Sequence, residues 1–284
     1  MGEHILVVGA TGRQGGAVAS RLLASGTAVR ALTRDRGSAA ARRLAAAGAQ
    51  VVAGDLHDGA SLARAVAGTA AVFAVTTATD DPADEIAAGL AITRAATDAG
   101  VRVVFSSGAL ADRGTGVAHF DTKARIEQVV LAAGPANTVL GPAGFFEMVL
   151  LPESLAALAG GVLVDGVPAD LPVPSIALED YAAIAETALT TPDALPARRV
   201  DLATEMLTRT AMAESLAAAI GRPVTYRQLP GPAVRAAGEH WFQLVEWLSR
   251  TRPAVDPATA IALRAGRALT FADWAARQPW GDQR

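Results

Sequence analysis

Ile5-Leu6-Val7-Val8-Gly9-Ala10-Thr11-Gly12-Arg13-Gln14-Gly15-Gly16 stands near the start of the chain. Four successive apolar residues predict a strand buried on both faces. The glycines predict a tight turn out of it, and Val18, Leu22 and Leu23 mark one apolar side of the helix that follows. Gly9 permits the turn, Gly12 carries no side chain to hold a pyrophosphate off the backbone, and Gly15 lets the helix pack close to the strand. The helix N-terminus then offers unpaired N–H groups and the positive end of its dipole to phosphate. A glycine spacing alone is weak, but strand, turn and helix stand here in the order a dinucleotide site needs. The alternative is a glycine turn of some other α/β protein that holds no phosphate.

Outward from this unit the pattern repeats. Strand-like segments read at Ile5–Gly9, Ala28–Thr33, Gln50–Ala53, Ala71–Val75, Arg102–Ser106 and Thr138–Leu140. Helical segments read between them at Arg13–Ala24, Ala39–Ala47, Ser61–Ala67, Pro82–Ala99 and Phe120–Ala133. Gly26, Gly48, Gly68, Gly100 and Gly134 stand where helices stop. Alternating strand and helix implies parallel strands joined by right-handed crossovers: an α/β fold with a Rossmann-type doubly wound parallel sheet. The expected strand order is 3-2-1-4-5-6, with ligand over the carboxyl ends of strands 1 and 4. A seventh strand is expected near Arg199–Ala203.

After about Pro142 the pattern loosens. Pro152, Pro168, Pro172 and Pro174 punctuate a loop-rich stretch. Helices return at Asp180–Leu189, Thr210–Ile220, Pro232–Ser249 and Pro257–Ala265. All four Trp residues, Trp241, Trp247, Trp274 and Trp280, lie in this half. The expected organisation is a cofactor-binding domain over residues 1–150, with a returning helix and strand at about 176–204. Residues 151–175 and 205–284 are expected to form a smaller, mostly helical lobe that covers the cofactor and shapes a substrate cleft.

Composition narrows the classes. The 284 residues suit one large domain or a core domain with a smaller lobe, and 51% hydrophobic residues supply a substantial core. A net charge of −3 supplies no basic field for nucleic acid. With no Cys there are no disulfides, thiolate metal sites or thiol catalysis, and the four scattered His predict no metal site. No apolar run reaches the roughly 18 residues of a membrane span, and no signal-peptide pattern opens the chain. The expectation is a soluble cytoplasmic protein, monomer or homodimer, that binds neither membrane nor nucleic acid directly.

The end of the second strand distinguishes the cofactors. An NAD site places an acid there for the ribose hydroxyls. This strand ends Leu32-Thr33 and is followed by Arg34, with Arg36 two further on. A guanidinium beside the ribose pairs bidentately with a 2′-phosphate, so NADP(H) is expected over NAD(H). Arg13 is placed to help from the other side, and Asp35 is expected to point elsewhere. The other reading of Arg34 to Arg36 is a solvated loop. Asp55 and Leu56 follow strand 3, where Asp55 either reaches the adenine edge or caps the helix beginning near His57-Asp58. Thr76 and Thr77 end strand 4, where the loop passes the ribose and nicotinamide. Ser106 and Ser107 end strand 5 as catalytic or as ordinary turn hydroxyls.

At His119-Phe120-Asp121-Thr122-Lys123 the chain resembles the NmrA-like family of atypical short-chain dehydrogenase/reductases. Gly9–Gly16, Gly54-Asp55-Leu56-His57-Asp58 and Leu140–Glu147 carry the same resemblance, and Leu207–Tyr226 carries it more loosely. The resemblance implies NADP(H)-using reductases of quinones and phenylpropanoids, or dinucleotide-binding regulators without known catalysis. Short-chain dehydrogenases usually carry Tyr-x-x-x-Lys, in which the tyrosine protonates the substrate oxygen and the lysine holds the nicotinamide ribose. Here Lys123 matches the lysine, His119 takes the tyrosine's place, and neither Tyr181 nor Tyr226 fits the motif.

The helix geometry agrees with that assignment. Residues four apart share a face, so His119 and Lys123 project toward one site. Lys123 then hydrogen-bonds the ribose hydroxyls, or else is a surface lysine. Its ammonium disfavours an imidazolium at His119, leaving a neutral ring that polarises a carbonyl or relays a proton; otherwise His119 is a helix-start histidine. Phe145-Phe146 flanks the nicotinamide or packs in the core, and Asp180 is expected to cap a helix. His240-Trp241-Phe242 with Trp247 lines a pocket for a flat or apolar substrate, or is core.

Two functions stand against each other. One is hydride transfer from NAD(P)H to a carbonyl, quinone or conjugated double bond of a small substrate, aromatic or quinone-like ones included, with His119 and Lys123 as the catalytic pair. The other is a non-catalytic, NADP(H)-binding redox sensor.

Overall fold

The computed structural model describes residues 4–77, 79 and 81–281. The first half of the chain runs β1 (His4–Val7), α1 (Arg13–Ala24), β2 (Val29–Thr33), α2 (Ala39–Ala46), β3 (Gln50–Ala53), α3 (Gly59–Val66), β4 (Thr69–Val75), α4 (Pro82–Asp98), β5 (Arg102–Ser106), α5 (Ala118–Ala132) and β6 (Thr138–Pro142). The second half runs β7 (Gly144–Phe145), α6 (Pro152–Ala159), β8 (Val162–Asp165), β9 (Val173–Ile176), α7 (Leu178–Thr190), β10 (Arg199–Leu202), β11 (Glu205–Leu207), α8 (Arg209–Ile220), β12 (Thr225–Gln228), α9 (Gly231–Ala237), α10 (Glu239–Thr251), α11 (Ala258–Leu263) and α12 (Phe271–Ala276).

Seven strands form one sheet in the order β10-β6-β5-β4-β1-β2-β3. β1 runs parallel to β2 and β4, β2 to β3, β4 to β5, and β5 to β6. This is the doubly wound sheet expected from the repeated pattern, with the seventh strand beside the sixth. Parallel pairing has a direct consequence for chemistry. It brings the carboxyl ends of β1 to β5 to one edge, so residues far apart in sequence meet there.

The chain divides into two compact units: residues 1–114, 119–141 and 181–201, and residues 115–118, 142–180 and 202–284. In the first unit, Leu6, Leu32 and Phe105 from the sheet pack with Leu62, Ile92 and Ile126 from helices α3, α4 and α5. Removing such side chains from water contributes about 1.5–3 kcal/mol each. The second unit has an aromatic core. Phe146 meets Phe271 edge-on at 5.3 Å between ring centroids, and Trp274 meets Trp280 at 6.4 Å. No helix among the described residues is long and apolar enough to cross a membrane.

Two expectations change. Pro232–Ser249 is not one helix: Gly238, at φ 152°, separates α9 from α10. The stretch after Pro142 is not mainly loop, because it carries β7, α6, β8 and β9. β8 pairs with β12 and β9 with β11, partners distant in sequence. Tertiary pairing, which no local periodicity announces, makes them strands.

Candidate functional site

The β1–α1 turn is built from backbone. Gly9 sits at φ 70°, and its carbonyl accepts the Gly12 N–H at 2.9 Å. A Cβ on Gly15 would lie 2.3 Å from that same Gly9 carbonyl oxygen and 2.9 Å from the Ala10 nitrogen. Only glycine lets α1 sit this close. α1 begins with no side-chain cap at Gly12 and no acid in its first turn. An anion is therefore neither repelled nor pre-empted at the positive end of the helix. Thr11, Gly12 and Arg13 are exposed around the turn, and the cradle fits a pyrophosphate.

Gln14 reaches from the same turn into the sheet. Ser106, fully buried, donates to Gln14 Oε1 at 2.7 Å, and Tyr181 donates to Ser106 Oγ at 2.5 Å. This chain commits the Ser106 hydroxyl to structure. It also places one of the two tyrosines beside the site, but buried, with its pKa pushed above the ordinary phenol value by desolvation. A weaker acid than usual in a sealed position is no substitute for the missing tyrosine of the motif.

The ends of β2 and β3 carry the residues expected beside the adenosine. The Thr33 hydroxyl bonds the backbone of Asp35, and the Asp35 carboxylate accepts the Gly37 N–H at 2.7 Å. Asp35 is thus engaged in its own turn. Arg34 and Arg36 are exposed, and among the described residues neither enters an ion pair. At β3, Asp58 rather than Asp55 caps α3, accepting from Ala60 and Ser61. The Asp55 carboxylate accepts the His57 N–H, at 2.9 Å, and Leu56 is half-buried beside it.

α5 holds the second half of the site. Lys123 is 4% exposed, so it is no surface lysine. Its ammonium meets Glu85 Oε1 at 2.8 Å, the Thr76 hydroxyl at 2.8 Å and the Thr76 carbonyl at 3.1 Å. Thr76 in turn donates to Glu85 Oε1 at 2.7 Å. An ammonium has three N–H donors, and here each has an acceptor. Burial holds the Lys123 pKa below the ordinary lysine value, opposed by Glu85 and by Glu127. With Glu85 in contact, the field Lys123 exerts on its surroundings is that of an ion pair rather than of a bare cation, which removes the premise that it governs the charge of His119. His119 is half-buried one turn earlier, its ring 5.8 Å from that of Phe120. Thr77 is exposed.

A second buried network lies one turn further along α5. Ser107 donates to Glu127, which also takes Arg199 Nε at 2.8 Å. Arg199 bonds Asp201 at 2.7 Å, and Asp201 accepts the Leu110 N–H at 2.9 Å. Leu110 stands at φ 65°, a conformation costly for a side chain of its kind. The network pins the segment after β5 in that shape. Ser107, like Ser106, is a bonded structural hydroxyl.

The second unit holds the remaining candidates. Phe145 is half-buried in β7 beside Ile176, while Phe146 is core. Glu147, not Asp180, receives the N–H of Leu178 at the start of α7, and burial raises its pKa above the ordinary carboxyl value. Asp180 is fully buried and instead binds Arg264 at 2.6 Å and the Leu269 N–H at 2.8 Å. A cleft of about 510 Å³ is lined by Val234, Phe242, Val245 and Arg250 among others. Of the aromatic cluster at 240–247, only Phe242 lines it; Trp247 is buried.

Glu85, Glu127, Arg199 and Tyr181 were not among the expected site residues. A signal for the first two existed. Glu85 shares the buried stripe of α4 with Ala88, Gly89 and Ile92, and Glu127 shares that of α5 with Ile126 and Val130. An acid at a core position requires a partner.

The model of the NmrA-like family matches residues 1–248. No curated protein sequence matches significantly. Solved structures do. The triphenylmethane reductase of Citrobacter sp. with NADP(H) is 21% identical, covers 97% of this chain and 99% of its own, and superposes with a TM-score of 0.81. An NADPH-dependent quinone oxidoreductase from Escherichia coli with NADPH is 24% identical over 96% and 98%, at 0.79. NmrA, a negative transcriptional regulator, in complex with NAD is 20% identical over 97% and 95%, at 0.76. At these identities the likeness establishes the fold.

Proposed function

The chain belongs to the NmrA-like family, and from that premise we propose that it is an NADP(H)-dependent reductase acting on a carbonyl, quinone or conjugated double bond of a small molecule in the cytoplasm. The observation that carries this reading is the uncapped glycine turn set beside a buried lysine at the carboxyl edge of one parallel sheet. Gly9, Gly12 and Gly15 cradle the pyrophosphate on backbone N–H groups. Arg34, with Arg13 opposite, takes the 2′-phosphate and sets the preference for NADP(H) over NAD(H). Thr33, Asp55 and Leu56 border the adenosine, while Thr76, Thr77 and Phe145 border the nicotinamide ribose and ring; Ser106, buried behind them, holds Gln14. Lys123 holds that ribose. The reduced nicotinamide, when bound, supplies a hydride. His119 then polarises the substrate oxygen or passes it a proton. Residues 1–150 with 176–204 form the cofactor domain, and residues 151–175 and 205–284 the lobe that meets substrate or partner.

The neighbours with reductase names are consistent with this assignment. The second reading, a dinucleotide-binding sensor, rests on a different observation: every N–H of Lys123 is engaged, and both serine hydroxyls at the end of β5 are buried in structural bonds. One experiment separates the two. NADPH oxidation is followed against quinones, enones, ketones and triphenylmethane dyes. Turnover that falls about 10²–10⁴-fold in His119→Ala with NADPH affinity retained supports the reductase. Tight NADPH binding with no turnover across the panel supports the sensor, and wild-type turnover in His119→Ala removes His119 from the chemistry.

A further inference from the structure

Glu85 and Lys123 are charges on the buried faces of two helices, and a specific device brings them together. A Cβ on Gly89 of α4 would lie 2.7 Å from Ile126 of α5, so glycine allows the two helices to close on each other. Glu85 is one turn before Gly89, and Lys123 is just under one turn before Ile126. The helix contact therefore delivers carboxylate to ammonium at 2.8 Å, with both side chains at most 5% exposed. Thr76, at the end of β4, closes the triangle by donating to Glu85 and accepting from Lys123.

Among the described residues, no other carboxylate is in contact with Lys123. Thr76, just after β4, is neutral, and Phe105 on β5 offers only the face of its ring, 5.6 Å away. Glu127, one turn along α5, is bound to Ser107 and Arg199. His119, one turn back, carries no negative charge.

We propose that Glu85 is a positioning residue of the dinucleotide site: it keeps Lys123 an ammonium and aims it at the end of β4, so that the lysine serves the cofactor as half of a Glu85–Lys123 pair. The proposal rests on the dinucleotide reading above. Lys123 is already held below its ordinary pKa by burial, with Glu85 foremost among the groups that oppose the shift. Without the carboxylate, desolvation acts almost unopposed and the proton leaves at lower pH. A purely structural glutamate would change affinity or stability, but would not introduce a new pH dependence.

The test is calorimetric titration of NADPH between about pH 6 and pH 9. Wild type is expected to bind with little change across this range. Glu85→Gln is expected to weaken as pH rises, by up to about tenfold per unit once Lys123 loses its proton. Adding Lys123→Arg, whose guanidinium stays charged, is expected to flatten the profile again. A flat profile in Glu85→Gln, at any affinity, overturns the proposal. Where Glu85→Gln does not fold, Glu85→Asp decides. Its shorter stem sets the carboxylate further from the ammonium, so binding that weakens more steeply than wild type as pH rises supports the proposal, and a wild-type pH profile overturns it. Wild-type protein that binds neither NADPH nor NADH takes down the dinucleotide reading and this proposal together. A binding wild type with an indifferent Glu85→Gln removes Glu85 alone.

Discussion

The β1–α1 turn meets solvent with backbone N–H groups that no side chain caps, whereas Lys123 already has an acceptor for each of its N–H donors. Both belong to the same candidate site. The turn is preorganised and vacates nothing when an anion arrives. The α5 cluster is preorganised in the opposite sense: a ribose hydroxyl gains Lys123 only by displacing Thr76 or sharing with it. Binding energy should therefore come chiefly from the turn and the arginine beside it, and selectivity for a bound state from the cluster.

Mutation can break this contrast most severely at Lys123. Lys123→Ala leaves the Glu85 carboxylate buried without its cation, and removing one partner of such a pair costs about 3–5 kcal/mol. The expected outcome is a large fall in the denaturation midpoint of the ligand-free protein, before any cofactor is added. Lys123→Met with Glu85→Leu is expected to recover most of the stability but none of the cofactor affinity lost. Equal stability of wild type and Lys123→Ala would mean that the pair is not formed in solution.

At the turn the expected effect is smaller in stability and larger in binding. Gly15→Ala forces a Cβ against a carbonyl oxygen 2.3 Å away. Overpacking of this kind costs about 1–3 kcal/mol, and the shift of α1 should abolish binding of NADPH and NADH alike. Calorimetric binding in Gly15→Ala at wild-type strength would show that the cradle is not where the dinucleotide sits. Smallest is Arg34→Ala. Loss of one charged hydrogen bond, about 1.5 kcal/mol or more, weakens NADPH roughly tenfold and leaves NADH unchanged. Equal losses for both would move the 2′-phosphate elsewhere.

The same contrast explains what could be read from the chain alone. The turn is local: Gly9, Gly12 and Gly15 lie within seven residues of one another, and their spacing states the backbone approach that the structure shows. The sheet order was legible for a similar reason, because each strand and the helix after it form a local unit. The cluster is not local. Thr76, Glu85 and Lys123 come from just after β4, from α4 and from α5, and only the sheet and the Gly89 contact join them. The motif identified Lys123, and helix spacing put His119 beside it, but nothing in His119-Phe120-Asp121-Thr122-Lys123 announces a carboxylate. What did announce it was easily passed over: an acid at a core position of α4, one turn from a glycine that weakens the helix it sits in. Asp180 shows the converse error. Its place near a helix start suggested a cap, yet burial turned it to Arg264 and the Leu269 N–H, and Glu147 took the cap from outside the helix.

β10 occupies the outer edge of the seven-stranded sheet, beside β6, but residues 142–180 of the other unit are made before it. During synthesis the β6 edge is complete long before its neighbour exists. Until residues beyond 202 have left the ribosome, that edge presents open backbone N–H and C=O groups, the surface on which nascent chains pair wrongly. Arg199 and Asp201 arrive with β10, so the Leu110 N–H and the Glu127 carboxylate also wait for it. The segment after β5 is thus among the earliest parts of the site to be translated and among the last to acquire its shape.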